Sequence, residues 1–508
     1  MCGVIGVYGT PYSSQEVFQG LQLLQHRGQD ASGILSYNLQ NQNFNLYKDV
    51  GLVSRVFSQD RLAGLTGELS IGHTRYATVG PKSPIDAKRD IQPMMVNFPF
   101  GLGMVHNGNL VNYYELKNEL KEKYNRHLFT QNDLEALLNI LSHHLLTHQN
   151  INSDLTCKTS PTLKFDDFQK AVQNLFAQAQ GGYSVVGILA ELGLFAFRDP
   201  HGMRPLMIGR RALTTQEKEN NPNHFGYSYC LSSETNVLTF LDYEIIGDLN
   251  PGEIVFIDRK GEVHSSRSYS VTHSISQKSC MFEWVYFSNP ESFIENKSVY
   301  KTRLNFGKAL AEEIKFKIAD GTISPDMIVP IPDTSRVAAI SLSETLSIPY
   351  REVLIKNRYV QRSFILNNQE NRIKAVKLKL TAIASEIKGK NILLVDDSIV
   401  RGTTSQKIID LVKEAGANKV YLASTCPPIR HPCFFGVDFP DPNELVAHDK
   451  TIDQISNTLG ADYLFYLSQE GLKKSIGFDR LCMACIDGEY PMKCPTSNKF
   501  KEMRSRHR

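Results

Sequence analysis

NILLVDDSIVRGTTSQ, residues 391–406, holds an apolar strand, two adjacent acids and a Gly/Thr/Ser loop that opens a helix. The spacing predicts a helix over 404–415, with Ile408, Leu411, Val412 and Ala415 on one face and Gly416 as its stop. KVYLAST, residues 419–425, then returns as a strand. Strand, helix and strand in that order make a βαβ unit, and hence a parallel sheet. Upstream, residues 327–332 read as a further short strand that ends in acids and hydroxyls. Ligands of such sheets bind at the carboxyl ends of the strands. Helix N-terminal N–H groups and small hydroxyls suit a phosphate. Acids beside a phosphate repel it unless they address something else, such as ribose hydroxyls or Mg²⁺. A strand followed by Asp-Asp also occurs in receiver domains and many metal enzymes, so the two acids alone select no ligand.

Between these strands, the segment 356–380 carries Lys356, Arg358, Arg362, Arg372, Lys374, Lys377 and Lys379 against one acid, Glu370. It reads as a solvated basic loop, an RNA patch, or a lid that closes on pyrophosphate and excludes water. The adjacent phosphate site favours the lid.

The first half is built differently. It is rich in Gly and in short alternating runs, with strands expected over 185–198 and 253–258 and helices over 112–123 and 133–146. The polar stretches 147–162 and 211–226 read as surface insertions. The chain has 508 residues, enough for more than one core. Its formal charge, 56 − 53 = +3, is too small to point to nucleic acid or an anionic membrane as the main partner. No stretch reaches the roughly 18 apolar residues of a membrane span. The start, MCGVIGVYGT, resembles neither a signal nor a transit peptide, so a cytoplasmic protein is expected. Nine scattered cysteines then favour thiols, metal ligands or a nucleophile over disulfides.

Cys2 is the candidate nucleophile. Once Met1 is removed, its α-amino group, with an ordinary pKa of roughly 7.7–8.0, stands beside its own thiol. QHRGQDASG (25–33), GHTRYAT (72–78), HNGNL (106–110) and Asp133 follow in order. Together with CGVIGVYG they resemble the class II glutamine amidotransferase domain. That resemblance implies an N-terminal nucleophile hydrolase fold of αββα layers. It gives Arg75 the glutamine α-carboxylate, Asp133 the α-ammonium, and Asn107 and Gly108 the oxyanion hole. Arg27 falls on a loop that closes over glutamine.

Residues 391–406 resemble the phosphoribosyl pyrophosphate motif of type I phosphoribosyltransferases. The resemblance implies an α/β domain in which Asp396 and Asp397 lie by the ribose and Mg²⁺, with Thr334 completing the metal site. Arg401, Gly402, Thr403, Thr404 and Ser405 would cradle the 5′-phosphate, and Lys356 and Arg358 would meet the pyrophosphate. The expected units are an amidotransferase domain at 2–245, a phosphoribosyltransferase domain at 265–470, and a C-terminal segment at 471–508.

Both halves in this order resemble the amidophosphoribosyltransferase family across residues 2–490. That family makes 5-phosphoribosylamine, glutamate and pyrophosphate at the first committed step of purine biosynthesis. Membership implies purine-nucleotide inhibitors and a homotetramer. Gln361 stands where the family usually has Gly, and Ser363 where it has Thr. A glutaminase serving another acceptor, as in sugar-phosphate or asparagine-forming amidotransferases, would lack LLVDDSIVRGTTS. A non-catalytic regulator would have no use for Cys2 with Arg75, Asn107, Gly108 and Asp133.

Cys482 and Cys485 form a C-x-x-C pair, which by itself suits a structural zinc or no metal equally. With Cys280 and Cys433 they match the branch of the family that carries a structural 4Fe–4S cluster. His431 and Cys494 are nearby alternatives that would point to zinc. Because only Met1 precedes Cys2, leader cleavage is not expected in maturation.

Overall fold

The computed structural model describes residues 1–76, 88–148, 163–220, 226–357, 380–437, 439 and 441–495. Arg358, Gln361, Ser363 and most of the expected lid fall outside these residues, as do residues 149–162 of the polar stretch 147–162 and residues 221–225 of the stretch 211–226.

The first unit stacks two antiparallel sheets. Its strands are β1 (Gly3–Tyr8), β2 (Ala31–Asn38), β3 (Asn43–Val50), β4 (Leu69–Arg75), β5 (Met94–Val96), β6 (Leu102–Leu110), β7 (Gly181–Leu189), β8 (Gly193–Arg198), β9 (Met207–Ala212), β10 (Tyr227–Ser232), β11 (Glu244–Asp248), β12 (Ile254–Asp258) and β13 (Val263–Ser266). One sheet runs β11-β9-β10-β1-β4-β2-β3 and the other β13-β12-β8-β7-β6-β5. Side chains alternate faces along a strand. Val4 and Ile71 from one sheet and Val105, Val186 and Ile188 from the other meet in a core between the sheets. Tyr183 and Val185 point the other way, onto helices Asp133–His148 and Phe165–Gln178. Ile5 and Val7 pack on helix Ser13–Leu23. These are the αββα layers expected.

Three details differ from the expectations. Residues 185–198 are not one strand but the hairpin β7–β8, turned at Glu191 (φ 62°) and Gly193 (φ 150°). The polar stretch after residue 211 is anchored rather than loose: Arg211 reaches Glu16 at 2.6 Å and Glu217 at 2.9 Å, and Leu213 is buried. The second sheet continues past residue 245, through β12 and β13, to Ser266.

The second unit holds four parallel strands in sequential order: Met327–Pro330, Asn391–Asp396, Lys419–Ser424 and Tyr463–Tyr466. Both faces of this sheet are covered, as a parallel sheet requires. Leu393 and Val395 pack with Phe306, Leu310 and Ala338 of helices Val299–Ala319 and Arg336–Leu346. Ile392 and Leu394 pack with Ile408, Ile409 and Val412 of helix Thr403–Glu414. Late in the chain, Leu481–Cys482 pairs with Ser279–Cys280, placing Cys280 opposite Cys482. This two-residue ladder ties the C-terminal segment to the start of the second unit. One continuous apolar cluster, including Val17, Leu21, Trp284 and Phe306, spans both units.

Candidate active sites

Cys2 immediately precedes β1, and its nitrogen donates to Asn107 Oδ1 at 3.2 Å. Its thiol lies 3.9 Å from the Tyr76 carbonyl. Asn107 is fully buried, and its Nδ2 has no partner. A buried amide donor left unmet is costly unless a ligand meets it.

β6 explains the second donor. Its ladder with β5 ends at Met104 opposite Met94, whereas its ladder with β7 continues to Leu110. From residue 105 onward one edge of β6 is therefore open to side chains. His106 N donates across it to Gln92 Oε1 at 2.7 Å, and Leu110 N to Asp133 Oδ2 at 2.9 Å. Successive N–H groups alternate edges, so Gly108 N–H faces the same edge between those two. Only glycine fits there, because a Cβ on Gly108 would lie 2.1 Å from the Gly182 carbonyl oxygen.

The flanking groups hold one another. Asp133 begins helix Asp133–His148. Burial pushes its carboxyl up, but His106, 3.3 Å away, and the Leu110 amide hold it below its ordinary range. Arg75 ends β4 and pairs with Asp90 at 3.4 Å. Arg27 lies on the loop after helix Ser13–Leu23, close enough to the N-terminus to act on the Met1 amine. Its guanidinium is fully buried, bonded to Glu234, to Glu283 at 2.9 Å and to Ser288 Oγ at 2.8 Å. Glu283 and Ser288 belong to the second unit, so Arg27 bridges the halves.

In the second unit, the strand Asn391–Asp396 delivers Asp396 and Asp397 to its carboxyl end. Burial raises both carboxyls, Asp396 further through Asp397's repulsion. Asp397 rises to about 6, the rise being offset in part by Ser398, Arg303 and Thr334. Thr334 is therefore beside Asp397. Gly402, at φ 76°, caps helix Thr403–Glu414, and a Cβ there would lie 2.8 Å from Leu459. Ser405 is buried in the first turn, and Thr403 and Thr404 are exposed. Arg401 pairs with Glu444 at 2.7 Å, and Lys356 with Asp333 at 2.6 Å. All four of these side chains are about half exposed.

The four cysteines converge. Cys280 faces Cys482 across the ladder, and Arg430 N and His431 N both donate to the Cys485 carbonyl at 3.0 Å. Burial pushes the Cys280 thiol up to about 11, with Arg204 opposing and Cys433 adding to the rise. Burial and the other three thiols push Cys485 up as well. Burial therefore favours the neutral thiols, and the set brings soft sulfur donors together.

Sequence reasoning assigned no role to Gln92, His106, Glu234, Glu283 or Arg303. His106 lay inside HNGNL and was the one with a visible signal. The others act through contacts far along the chain.

The phosphoribosyl transferase domain family matches residues 297–434, and the glutamine amidotransferase domain family matches residues 73–216. Fold and sites together define a glutamine amidotransferase joined to a phosphoribosyltransferase. An amidophosphoribosyltransferase of Pseudomonas aeruginosa is 39% identical, over 96% of this chain and 93% of that one. That of Methanocaldococcus jannaschii is 40% identical, over 97% and 98%. The solved glutamine phosphoribosylpyrophosphate amidotransferase of B. subtilis, complexed with ADP and GMP, is 33% identical with TM-score 0.80, covering 98% of this chain and all of that one. The chain belongs to the amidophosphoribosyltransferase family.

Proposed function

We propose that Cys2 releases ammonia from glutamine and that the Asp396–Ser405 site uses it to displace pyrophosphate from phosphoribosyl pyrophosphate. The product is 5-phosphoribosylamine, formed at the first step of purine biosynthesis. The observation that carries the residue roles is the pair of donors, Asn107 Nδ2 and Gly108 N–H, next to Cys2.

The Met1 amine is buried and held down to about 5 by that burial. The amine that serves is Cys2's own, once Met1 is gone. Asn107 Oδ1 accepts one of its protons, which leaves the nitrogen lone pair for the thiol proton. The thiolate adds to the glutamine carboxamide carbon, and the oxyanion takes the two donors. Ammonia leaves with the proton, and water then hydrolyses the thioester to glutamate. Arg75 grips the α-carboxylate through parallel hydrogen bonds, and Asp133 takes the α-ammonium.

At the second site the Gly402–Ser405 turn offers backbone N–H groups and hydroxyls to the 5′-phosphate. Asp396 and Asp397 hold the ribose and Mg²⁺, with Thr334 beside them. Two adjacent buried acids, both raised by burial, fit a hard cation. When bound, Mg²⁺ supplies positive charge to the departing pyrophosphate.

Cys280, Cys433, Cys482 and Cys485 would hold a structural 4Fe–4S cluster. The reading is supported by the convergence of the four cysteines, with Cys280 opposite Cys482 and the Cys485 thiol influenced by the other three. Purine nucleotides as inhibitors are supported by the ADP and GMP of the B. subtilis relative. A homotetramer is what membership of the family implies.

Two measurements test this. Glutamate and pyrophosphate should appear in equal amounts, and glutamate should form rapidly only with phosphoribosyl pyrophosphate present. Glutamate without pyrophosphate would sink the coupled reaction. Anaerobically purified protein should be brown, absorbing near about 400 nm. A colourless, active protein with one zinc per chain would replace the cluster with zinc.

A further inference from the structure

β6 is braced by a partner strand on one edge only where it carries the oxyanion donors, and the second unit is seated against it at that point. Asn109, the residue after Gly108, donates from Nδ2 to the Phe434 carbonyl at 2.7 Å. The buried guanidinium of Arg204 donates to the next carbonyl, that of Phe435. Gly436 follows at φ 108°, and a Cβ there would lie 3.5 Å from the carbonyl carbon and oxygen of Gly108. Three successive residues of the second unit therefore rest on β6 and its neighbour Arg204.

This segment is itself well fixed. Phe434 and Phe435 are buried with Val111 and Met203, and Tyr490 packs against both rings. Cys433 N closes the loop by donating to the Phe439 carbonyl at 3.2 Å. The Asn109 contact joins residues 325 positions apart. It leaves the Asn107 and Gly108 donors untouched, but it holds the strand from which both project.

We propose that Asn109 is a positioning residue for glutamine hydrolysis. Its bond to the Phe434 carbonyl locks the oxyanion strand onto the segment after Cys433. Asn107 and Gly108 then present their donors at working distance only while that segment is seated. The inference rests on the reading of Asn107 and Gly108 as the oxyanion hole. It adds a dependence of that hole on the other half of the chain.

The test uses the full-length protein and two variants. Asn109→Asp keeps the shape but replaces the N–H donor with an acceptor facing a carbonyl. Asn109→Ala removes both. Each should lower kcat for glutamine hydrolysis about tenfold to a hundredfold, part of what losing a whole oxyanion donor costs, with KM for glutamine within about twofold. The aldehyde analogue of glutamine reports on the hole directly. It adds the Cys2 thiol across its carbonyl, and its new oxygen sits where the oxyanion does. Its affinity should fall by the same factor as kcat. Alkylation of Cys2 by iodoacetamide and ammonia-dependent transfer should stay as in the parent, and the Asn109→Asp protein should remain folded at the assay temperature. An unchanged kcat in folded Asn109→Asp overturns the proposal, as does a raised KM with kcat intact. Equal loss of ammonia-dependent transfer with a lowered melting temperature would make Asn109 a structural residue only. Failure of the aldehyde to engage Cys2 in the parent protein would instead remove the underlying reading of the hole.

Discussion

Arg27 and Lys356 mark two regions with opposite physics. Around the glutamine site, the charged side chain is buried and held by fixed partners. Arg27 is fully enclosed with Glu234 and Glu283, and Asp133 is held by His106 and the Leu110 amide. At the phosphoribosyl site Arg303 is buried beside Asp397, but the outer cations Lys356 and Arg401 are in water. The Lys356 and Asp333 side chains are 50% and 54% exposed, and those of Arg401 and Glu444 52% and 48%. On the proposed reading, the described part of the first site holds its groups among fixed partners, which suits an oxyanion hole that must not rearrange during reaction. The second keeps its acids and Arg303 fixed and its outer cations, Lys356 and Arg401, exchangeable, which suits a substrate that brings phosphates and metal with it.

The largest effect should come from Cys2→Ala. Glutamine-dependent product should fall by about 10⁴-fold or more, the scale of losing a nucleophile, while product from ammonium salt at high pH persists. Equal loss of both would erase the distinction between the sites. Asp397→Ala should cut transfer from either nitrogen source, by about 10²–10³-fold if it positions the metal charge. Undiminished transfer with ammonia would remove Asp397 from the site.

The buried network should show in acid. Burial works against the Glu234 carboxylate, but Arg27 and His26 hold its pKa below the ordinary 4.5. A depressed carboxylate contributes stability that is fully present above its unfolded pKa and is lost as pH falls through the folded value. Melting temperature should therefore drop below about pH 4.5, and Glu234→Gln should flatten that limb. At neutral pH the variant should be destabilised by about 3–5 kcal/mol, because Arg27 loses one buried partner. A flat acid limb in the parent would show that Arg27 is less enclosed than this geometry has it.

The same contrast sets what could be read from sequence. The phosphoribosyl site was legible because one segment supplies strand, acids, turn and helix start in chain order, and Gly402 announces the tight turn. Cys2, Asn107 and Gly108 were legible as ordered motifs. Arg27's destination was not, because its partners Glu234 and Glu283 lie 207 and 256 residues away. Asn109's contact with Phe434 is equally remote. The β7–β8 turn was missed because an apolar run read as one strand, and Glu191 and Gly193 are a weak turn signal. Local chemistry leaves a pattern in sequence, whereas a contact between halves leaves only two ordinary residues.

The smallest effect, and the one that most sharpens the contrast, concerns the exposed cations. Exposed ion pairs contribute only about 0–1 kcal/mol each. Lys356 can thus leave Asp333, and Arg401 can leave Glu444, for a phosphate at little cost. A charge-assisted bond to a phosphate oxygen is stronger than the pair given up. Lys356→Ala and Arg401→Ala should each raise KM for phosphoribosyl pyrophosphate about tenfold or less, with kcat near the parent value. Asp333→Asn and Glu444→Gln should lower it slightly, since they free the cation. Both effects should shrink as salt rises from about 0.05 M to 0.5 M, because the screening length falls from about 14 Å to about 4 Å. If these cations were held as firmly by their partners as Arg27 is, neutralising those partners would instead weaken binding and destabilise the fold. The sign of the Asp333→Asn effect therefore decides whether the two sites are organised differently.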